Sequence, residues 1–121
     1  MPSQPRVLVL EDEPLIAMMV RGWLTELGCE TVGPAHTVSN ALALIKDGPL
    51  HGAILDVSIG DQNCSPVADA LRRKGIPFAL ATGRAPGWLA GFTDAPSLSK
   101  PYDFAAMRDV VTRLLDNHAR P

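Results

Sequence analysis

Short apolar segments alternate with helix-like patterns along most of the chain, and this alternation limits the possible folds. Segments typical of β-strands occupy 6–10, 30–35, 52–57, 76–82 and 97–99. Amphipathic patterns with helix start and stop signals occupy 14–28, 37–48, 65–75 and 103–119. Strands that alternate with helices form parallel sheets, because each right-handed crossover lets the next strand run in the same direction. We therefore predict an α/β fold, a doubly wound parallel sheet of five strands with helices on both faces.

One segment, 83–96, departs from the alternation. It lies between the fourth and fifth predicted strands, where a connecting helix is needed, and it reads GRAPGWLAGFTDAP. Its three glycines and two prolines leave room for only a short or distorted helix. Trp88 and Phe92 lie in this segment. We expect both rings to pack on the sheet, and the alternative is that one of them moves or anchors a partner protein.

Composition limits the class of protein and the partners that it can have. The chain has 121 residues, of which 46% are hydrophobic, enough for one compact domain with its own core. The net charge of −2 does not favour nucleic acid or an anionic membrane as a partner. We find no secretory signal and no run near the roughly 18 apolar residues of a membrane span. We expect a cytoplasmic domain in which Cys29 and Cys64 are buried, reduced thiols.

Polar and charged residues follow four of the predicted strands. In a parallel sheet the carboxyl ends of the strands meet at one edge, and ligands bind there. The residues placed at this edge are Glu11, Asp12 and Glu13 after the first strand, Asp56 in the third, Thr82 and Gly83 at the end of the fourth, and Ser99, Lys100 and Pro101 at the end of the fifth. The sequence therefore predicts a site that combines carboxylates, a hydroxyl group and an ammonium group.

These groups together favour phosphoryl chemistry. Carboxylates that lie close together repel one another unless a cation stands between them. Mg²⁺, or Mn²⁺ in its place, takes carboxylate ligands and keeps positions for water and phosphate oxygens. Lys100 supplies a point charge suited to a phosphoryl oxygen, and Thr82 can donate a hydrogen bond to another. An Asp56 carboxylate held between the cation and Lys100 can attack phosphorus and form an aspartyl phosphate.

Four segments resemble the receiver domain of two-component response regulators, and together they span nearly the whole chain. They are VLVLEDEP, AILDVSI, FALATG and LSKPYD. The resemblance implies a flavodoxin-like (βα)5 fold with strand order 2-1-3-4-5. It also implies that 1–121 is one receiver domain, ordered over about 5–118, without an output domain.

The resemblance implies roles for the acidic residues at the edge of the sheet. Asp56 stands at the position of the phosphoacceptor. Glu11 and Asp12 stand at the positions of the acidic pair that holds Mg²⁺. Asp56 itself and the backbone carbonyl of Ser58 are expected to complete the protein ligands of the cation.

The resemblance also implies how the phosphoryl group is held. Thr82 and Lys100 stand at the positions of the residues that contact it. A cis Lys-Pro peptide bond is common in the family at this position, and we predict that isomer for Lys100–Pro101.

The chain departs from common receivers in the parts that convey the signal. The segment after Asp56 lacks the usual Met-Pro pair and resembles a subgroup of single-domain regulators found with alphaproteobacterial kinases. That subgroup has Phe-Ala-Thr-Gly on the fourth strand, and Leu80 stands here in place of the Phe. Ser97 occupies the place of the usual switch aromatic on the fifth strand, so the usual coupling cannot operate unchanged. The residues that we consider for an output surface are Trp88, Phe92, Ser97 and Tyr102.

The resemblance implies a stand-alone response regulator that is not an enzyme. It takes a phosphoryl group from a histidine kinase or a histidine phosphotransfer protein and signals through an output protein, as a monomer or a phosphorylation-dependent dimer. Two alternatives are open: a phosphate sink or shuttle in a phosphorelay, and a receiver cut from a hybrid kinase or a longer regulator. A Mg²⁺-dependent phosphatase is a distant alternative, because such enzymes need a second acid where Ser58 stands.

Overall fold

The computed structural model describes residues 4–82 and 95–119. The strands are β1 (Arg6–Leu10), β2 (Glu30–Ala35), β3 (Gly52–Asp56), β4 (Ser58–Ile59), β5 (Gln62–Asn63), β6 (Phe78–Thr82) and β7 (Ser97–Ser99). The helices are α1 (Pro14–Glu26), α2 (Val38–Lys46), α3 (Ser65–Arg73) and α4 (Phe104–Ala119). The short or distorted helix was predicted within 83–96, and residues 83–94 of that segment, with Trp88 and Phe92, lie outside the described residues.

Five strands form one parallel sheet in the order β2-β1-β3-β6-β7. Numbered among themselves, these strands have the predicted order 2-1-3-4-5, and the doubly wound, flavodoxin-like fold is confirmed. β3 and β6 lie inside the sheet and every residue of both strands is buried. A side chain at the carboxyl end of β3 is therefore held by a rigid, fully covered strand.

Helices cover both faces of the sheet, and β1 shows how the faces are divided. Leu8 and Leu10 belong to a buried cluster that includes residues of α2 and α3. Val7 and Val9 belong to a second buried cluster with residues of α1 and α4. Successive side chains of a strand point to opposite faces, so the two clusters form separate cores above and below the sheet. None of the helices in the described part of the chain is long and apolar enough to cross a membrane.

The two cysteines lie one in each core. Cys64 belongs to the cluster under α2 and α3, and Cys29 to the cluster under α1 and α4. Both are buried free thiols, as predicted. Burial raises the pKa of Cys64 to about 11 and also raises that of Cys29, so both groups stay protonated near neutral pH.

The segment between β3 and α3 forms a hairpin, whereas the sequence indicated only a polar loop. β4 and β5 pair antiparallel, with Ser58 opposite Asn63 and Ile59 opposite Gln62. Gly60 comes first in the two-residue turn and has a φ of +62°, a conformation that glycine reaches without the strain of a Cβ. Strands of two residues are too short to show an alternating pattern, and this is why the sequence did not reveal them.

Several elements are shorter than predicted, by one or two residues at an end. The fourth strand of the sheet begins at Phe78 rather than at 76, because Pro77 has no N–H with which to join the sheet. The third strand ends at Asp56 instead of 57. The first helix ends at Glu26, two residues before the Gly28 that the sequence marked as its stop.

Candidate functional site

The carboxyl ends of β1, β3, β6 and β7 meet at one edge of the sheet, as the sequence predicted. The strand register places Asp56 opposite Ala81 and Thr82 opposite Ser99. The amide of Lys100 then donates to the carbonyl oxygen of Thr82 at 3.0 Å, which extends the pairing past the end of β7. The backbone therefore fixes the places from which the side chains of Asp56 and Lys100 reach the site.

Asp56 is a buried carboxylate with an ammonium group beside it. Only 6% of the residue is exposed. Lys100 Nζ lies 2.9 Å from Asp56 Oδ2 and forms both a hydrogen bond and an ion pair with it. The backbone N–H of Ser58, which is exposed at the start of β4, points to Oδ1 at 3.4 Å. A buried carboxylate needs such partners, because an unpaired charge in this environment is strongly unfavourable.

Glu11 is the second buried carboxylate of the site and is only 2% exposed. Its Oε1 lies 3.5 Å from Lys100 Nζ, and its Oε2 accepts a hydrogen bond from the amide of Glu13 at 3.1 Å. Burial raises the pKa of Glu11 to about 7, and the charge of Asp56 adds to the rise. The Glu13 amide and the Lys100 ammonium act in the opposite direction but do not cancel it.

Lys100 is shared between the two buried carboxylates. Burial alone would lower its pKa, but the hydrogen bond to Asp56 and the negative charges of Asp56 and Glu11 raise it above its usual value. Lys100 is therefore protonated near neutral pH. One ammonium charge faces two buried carboxylates, so the group as a whole is short of positive charge.

Asp12 adds a third carboxylate on the solvent side of the site. It is exposed, and its Oδ2 accepts a hydrogen bond from the amide of Gly60 at 3.0 Å. Oxygen atoms of Glu11, Asp12 and Asp56 all lie within 4.8 Å of one another. Three carboxylates around one point, with a single lysine to balance them, fit a hard divalent cation such as Mg²⁺. The exposed side leaves room for water and for phosphate oxygens.

Thr82 and the residues after β7 complete this edge. Thr82 is buried at the end of β6. The Lys100–Pro101 peptide bond is cis, the isomer that the family resemblance predicts. Tyr102 is half-buried, with its ring centroid 6.3 Å from that of Trp23 on α1. Ser97 is exposed on the edge strand β7.

Two residues of the site were not expected from the sequence. The imidazole of His36 donates from Nδ1 to the carbonyl oxygen of Glu11 at 2.9 Å, and Gly60 holds Asp12 as described. His36 directly follows β2, whose carboxyl end lies beside that of β1, and this position was the signal that could have identified it. Gly60 could be identified only after the β4–β5 hairpin was known.

The raised pKa of Glu11 predicts a distinctive dependence of stability on pH. A carboxyl group whose pKa rises on folding stabilises the fold fully below its usual pKa, near 4.5, and loses that contribution as the pH rises through about 7. Without Mg²⁺ at pH 8, Glu11→Gln should therefore raise the free energy of unfolding by about 2 kcal/mol. At pH 5 the gain should be much smaller. Urea unfolding with a chelator present measures the free energy of unfolding at each pH. An equal increase at pH 8 and pH 5 would contradict the raised pKa of Glu11.

The comparisons with known proteins give one curated relative and many similar structures. No family model matches the chain. The phyllosphere-induced regulator PhyR of Methylorubrum extorquens is 29% identical over 114 residues, which are 90% of this chain and 43% of the relative. The chain therefore spans less than half the length of that relative.

Two solved structures match the chain along nearly its whole length. The solution structure of SdrG from Sphingomonas melonis Fr1 is 40% identical, with a TM-score of 0.82, and the match covers 95% of this chain and 99% of SdrG. The response regulator protein TrrA from Thermotoga maritima, solved in complex with Mg²⁺ and BeF, is 26% identical, with a TM-score of 0.79. That match covers 93% of this chain and 100% of TrrA.

Proposed function

Because the chain belongs to the response regulator receiver domains, we propose that it accepts a phosphoryl group on Asp56 and signals through protein contact. The observation that carries this proposal is the pairing of Asp56 with Lys100 at 2.9 Å, beside the carboxylates of Glu11 and Asp12. The proposed nucleophile at the end of the buried strand β3, the ammonium group that follows β7 and the carboxylates that follow β1 meet at one edge of the sheet. Such an arrangement suits phosphoryl transfer, in which positioning and charge neutralisation provide most of the catalysis.

The cation in this proposal is Mg²⁺, or Mn²⁺ in its place. Glu11, Asp12, Asp56 and the backbone carbonyl of Ser58 would hold it. The cluster of carboxylate oxygens and its shortage of positive charge support this ligand set, and so does the Mg²⁺ complex of the similar protein TrrA. When bound, the cation neutralises carboxylate charge and the charge of the transferring phosphoryl group.

The chemical step uses the residues of the sheet edge. A carboxylate oxygen of Asp56 attacks phosphorus, and a new O–P bond of an acyl phosphate forms. The bond between phosphorus and the donor breaks, and its electron pair stays on the donor atom. Lys100 is placed to pair with a phosphoryl oxygen, and the Thr82 hydroxyl group can donate to another. Asp56 is consumed once in each event, so the domain acts as a signalling module and not as an enzyme that turns over a substrate.

The donor is proposed to be a histidine kinase or a histidine phosphotransfer protein that covers the face of α1 next to the site. Leu15 and Met18 on this helix are 79% and 68% exposed, which is unusual for large apolar side chains. A cavity of about 320 Å³ connects the helix to the site, and its lining residues are Ile16, Met19, Lys100, Pro101 and Tyr102. An apolar donor surface on α1 would exclude water from the transfer and direct the phosphohistidine at Asp56.

The output is proposed to be contact with another protein. A phosphate sink would need no output partner. Pull-down of partners with the phosphorylated protein and with Asp56→Asn distinguishes the two, because only a signalling receiver retains a non-kinase partner in a phosphorylation-dependent manner.

Phosphorylation by a small donor tests the proposed function directly. Incubation with acetyl phosphate and Mg²⁺ should add one phosphoryl group per chain, seen as a single mass increase in the intact protein. Removal of divalent cations with a chelator should slow the reaction about a hundredfold, because the clustered carboxylates then repel the donor. No mass increase, or an increase that is equally fast with the chelator, would contradict the proposal.

A further inference from the structure

The β4–β5 hairpin connects the core of the molecule with the acidic residues of the site. Ile59 of β4 is only 4% exposed and packs in the core cluster under α2 and α3. At the open end of the hairpin, opposite the turn, the amide of Cys64 donates a hydrogen bond to the carbonyl oxygen of Val57 at 3.0 Å. The turn itself is exposed, and from it the amide of Gly60 reaches Asp12 Oδ2 at 3.0 Å.

This hydrogen bond spans 48 positions of the chain and acts on the one exposed carboxylate of the site. An exposed aspartate side chain changes rotamer readily, and each change would move its oxygens away from Glu11 and Asp56. A backbone amide that holds Oδ2 restricts the rotamers of the side chain and so keeps the carboxylate beside Glu11 and Asp56. Loss of a group that orients a metal ligand in this way typically lowers metal affinity tenfold to a hundredfold.

We propose that the Gly60 amide is a positioning group for the cation site and that the β4–β5 hairpin is the element that sets the affinity for Mg²⁺. This inference rests on the proposed function, because it takes the Glu11, Asp12 and Asp56 cluster to be the cation site. Gly60 itself touches neither the cation nor the phosphoryl group. It acts through Asp12.

The conformation of Gly60 provides a way to disturb the hydrogen bond without adding bulk to the site. Its φ is +62°, and a Cβ placed on it would have no atom within 4 Å. A substitution there acts only through the backbone, since a β-branched residue is strained at positive φ whereas asparagine tolerates it. Gly60→Val should therefore move the turn and break the bond to Asp12, and Gly60→Asn should keep it.

Gly75 supplies a matched control. It follows α3 at the opposite end of the sheet, with a φ of +70°, and a Cβ at this position would again have no atom within 4 Å. Gly75→Val introduces the same kind of backbone strain at a distance from the carboxylates. Any loss of Mg²⁺ affinity that comes only from lower stability of the fold should appear in this variant as well.

Titration with MgCl₂ alone, followed by amide chemical shifts, tests the inference on the full chain. We expect the Kd for Mg²⁺ to rise about tenfold in Gly60→Val, to change less than about threefold in Gly60→Asn, and to stay the same in Gly75→Val. Urea unfolding in the absence of Mg²⁺ checks that all variants are folded.

A folded Gly60→Val with wild-type affinity for Mg²⁺ would overturn the positioning role of Gly60 and leave the proposed function intact. If Gly60→Val does not fold, Gly60→Ala replaces it, with the same expected direction. A wild-type protein that does not bind Mg²⁺ would overturn both.

Discussion

Asp56→Asn should reduce phosphorylation by acetyl phosphate and Mg²⁺ to below about one hundredth of the wild-type rate. The amide has nearly the shape of the carboxylate, and its oxygen can still accept a hydrogen bond from Lys100. It is not a nucleophile toward phosphorus, however, and it removes one of the charges that attract the cation. The rate is measured from the fraction of phosphorylated protein in intact mass spectra taken over time.

A control for this substitution is Asp69→Asn, which changes an exposed carboxylate on α3 in the same way. It should be phosphorylated at the wild-type rate. If Asp56→Asn reacts as fast as this control, the phosphoacceptor lies elsewhere and the assignment of Asp56 is wrong.

Lys100→Met should change two measurements in opposite directions. Lys100 lies 2.9 Å from Asp56 and 3.5 Å from Glu11, so it competes with a cation for the same carboxylates. Removing its charge should tighten Mg²⁺ binding about fivefold. The same substitution takes away the group that pairs with the transferring phosphoryl oxygen, so phosphorylation at saturating Mg²⁺ should slow about a hundredfold.

Two further variants separate these effects from a general change in charge. Lys100→Arg keeps the positive charge and should lose much less of the rate. Lys46→Met removes an exposed lysine from the last turn of α2 and should leave both measurements unchanged. Weaker Mg²⁺ binding in Lys100→Met would show that the lysine stabilises the site as a structural partner and does not compete with the cation.

The sheet and its order could be predicted because the signals are local and repeated. β1 and β3 are apolar runs, RVLVL at 6–10 and GAILD at 52–56, and α1 begins at a proline in its first turn, a recognisable start signal. The β4–β5 hairpin gives no such signal, since its strands have two residues each. The ends of strands and helices differ from the predicted ones by up to two residues, because they depend on where backbone pairing stops and not on composition.

The main residues of the site could be located because a parallel sheet brings the carboxyl ends of its strands together. Asp56, Glu11 and Lys100 were expected at one edge and lie within hydrogen-bonding or ion-pairing distance there. The position of His36 after β2 was a signal of the same kind, but its contact with the carbonyl oxygen of Glu11, and the contact of Gly60 with Asp12, could not be predicted from the strand ends. Each depends on an oxygen atom brought close by the fold, across 25 and 48 positions of the chain respectively.

The attachment site of the phosphoryl group tests the central claim most directly. After reaction with acetyl phosphate and Mg²⁺, borohydride reduces an aspartyl phosphate to homoserine, and the modified residue is then identified by peptide mass spectrometry. We predict that homoserine appears at position 56 alone, and only when Mg²⁺ was present. Modification of Glu11, Asp12 or a histidine in place of Asp56, or no modification at all, would contradict the assignment of Asp56 as the phosphoacceptor.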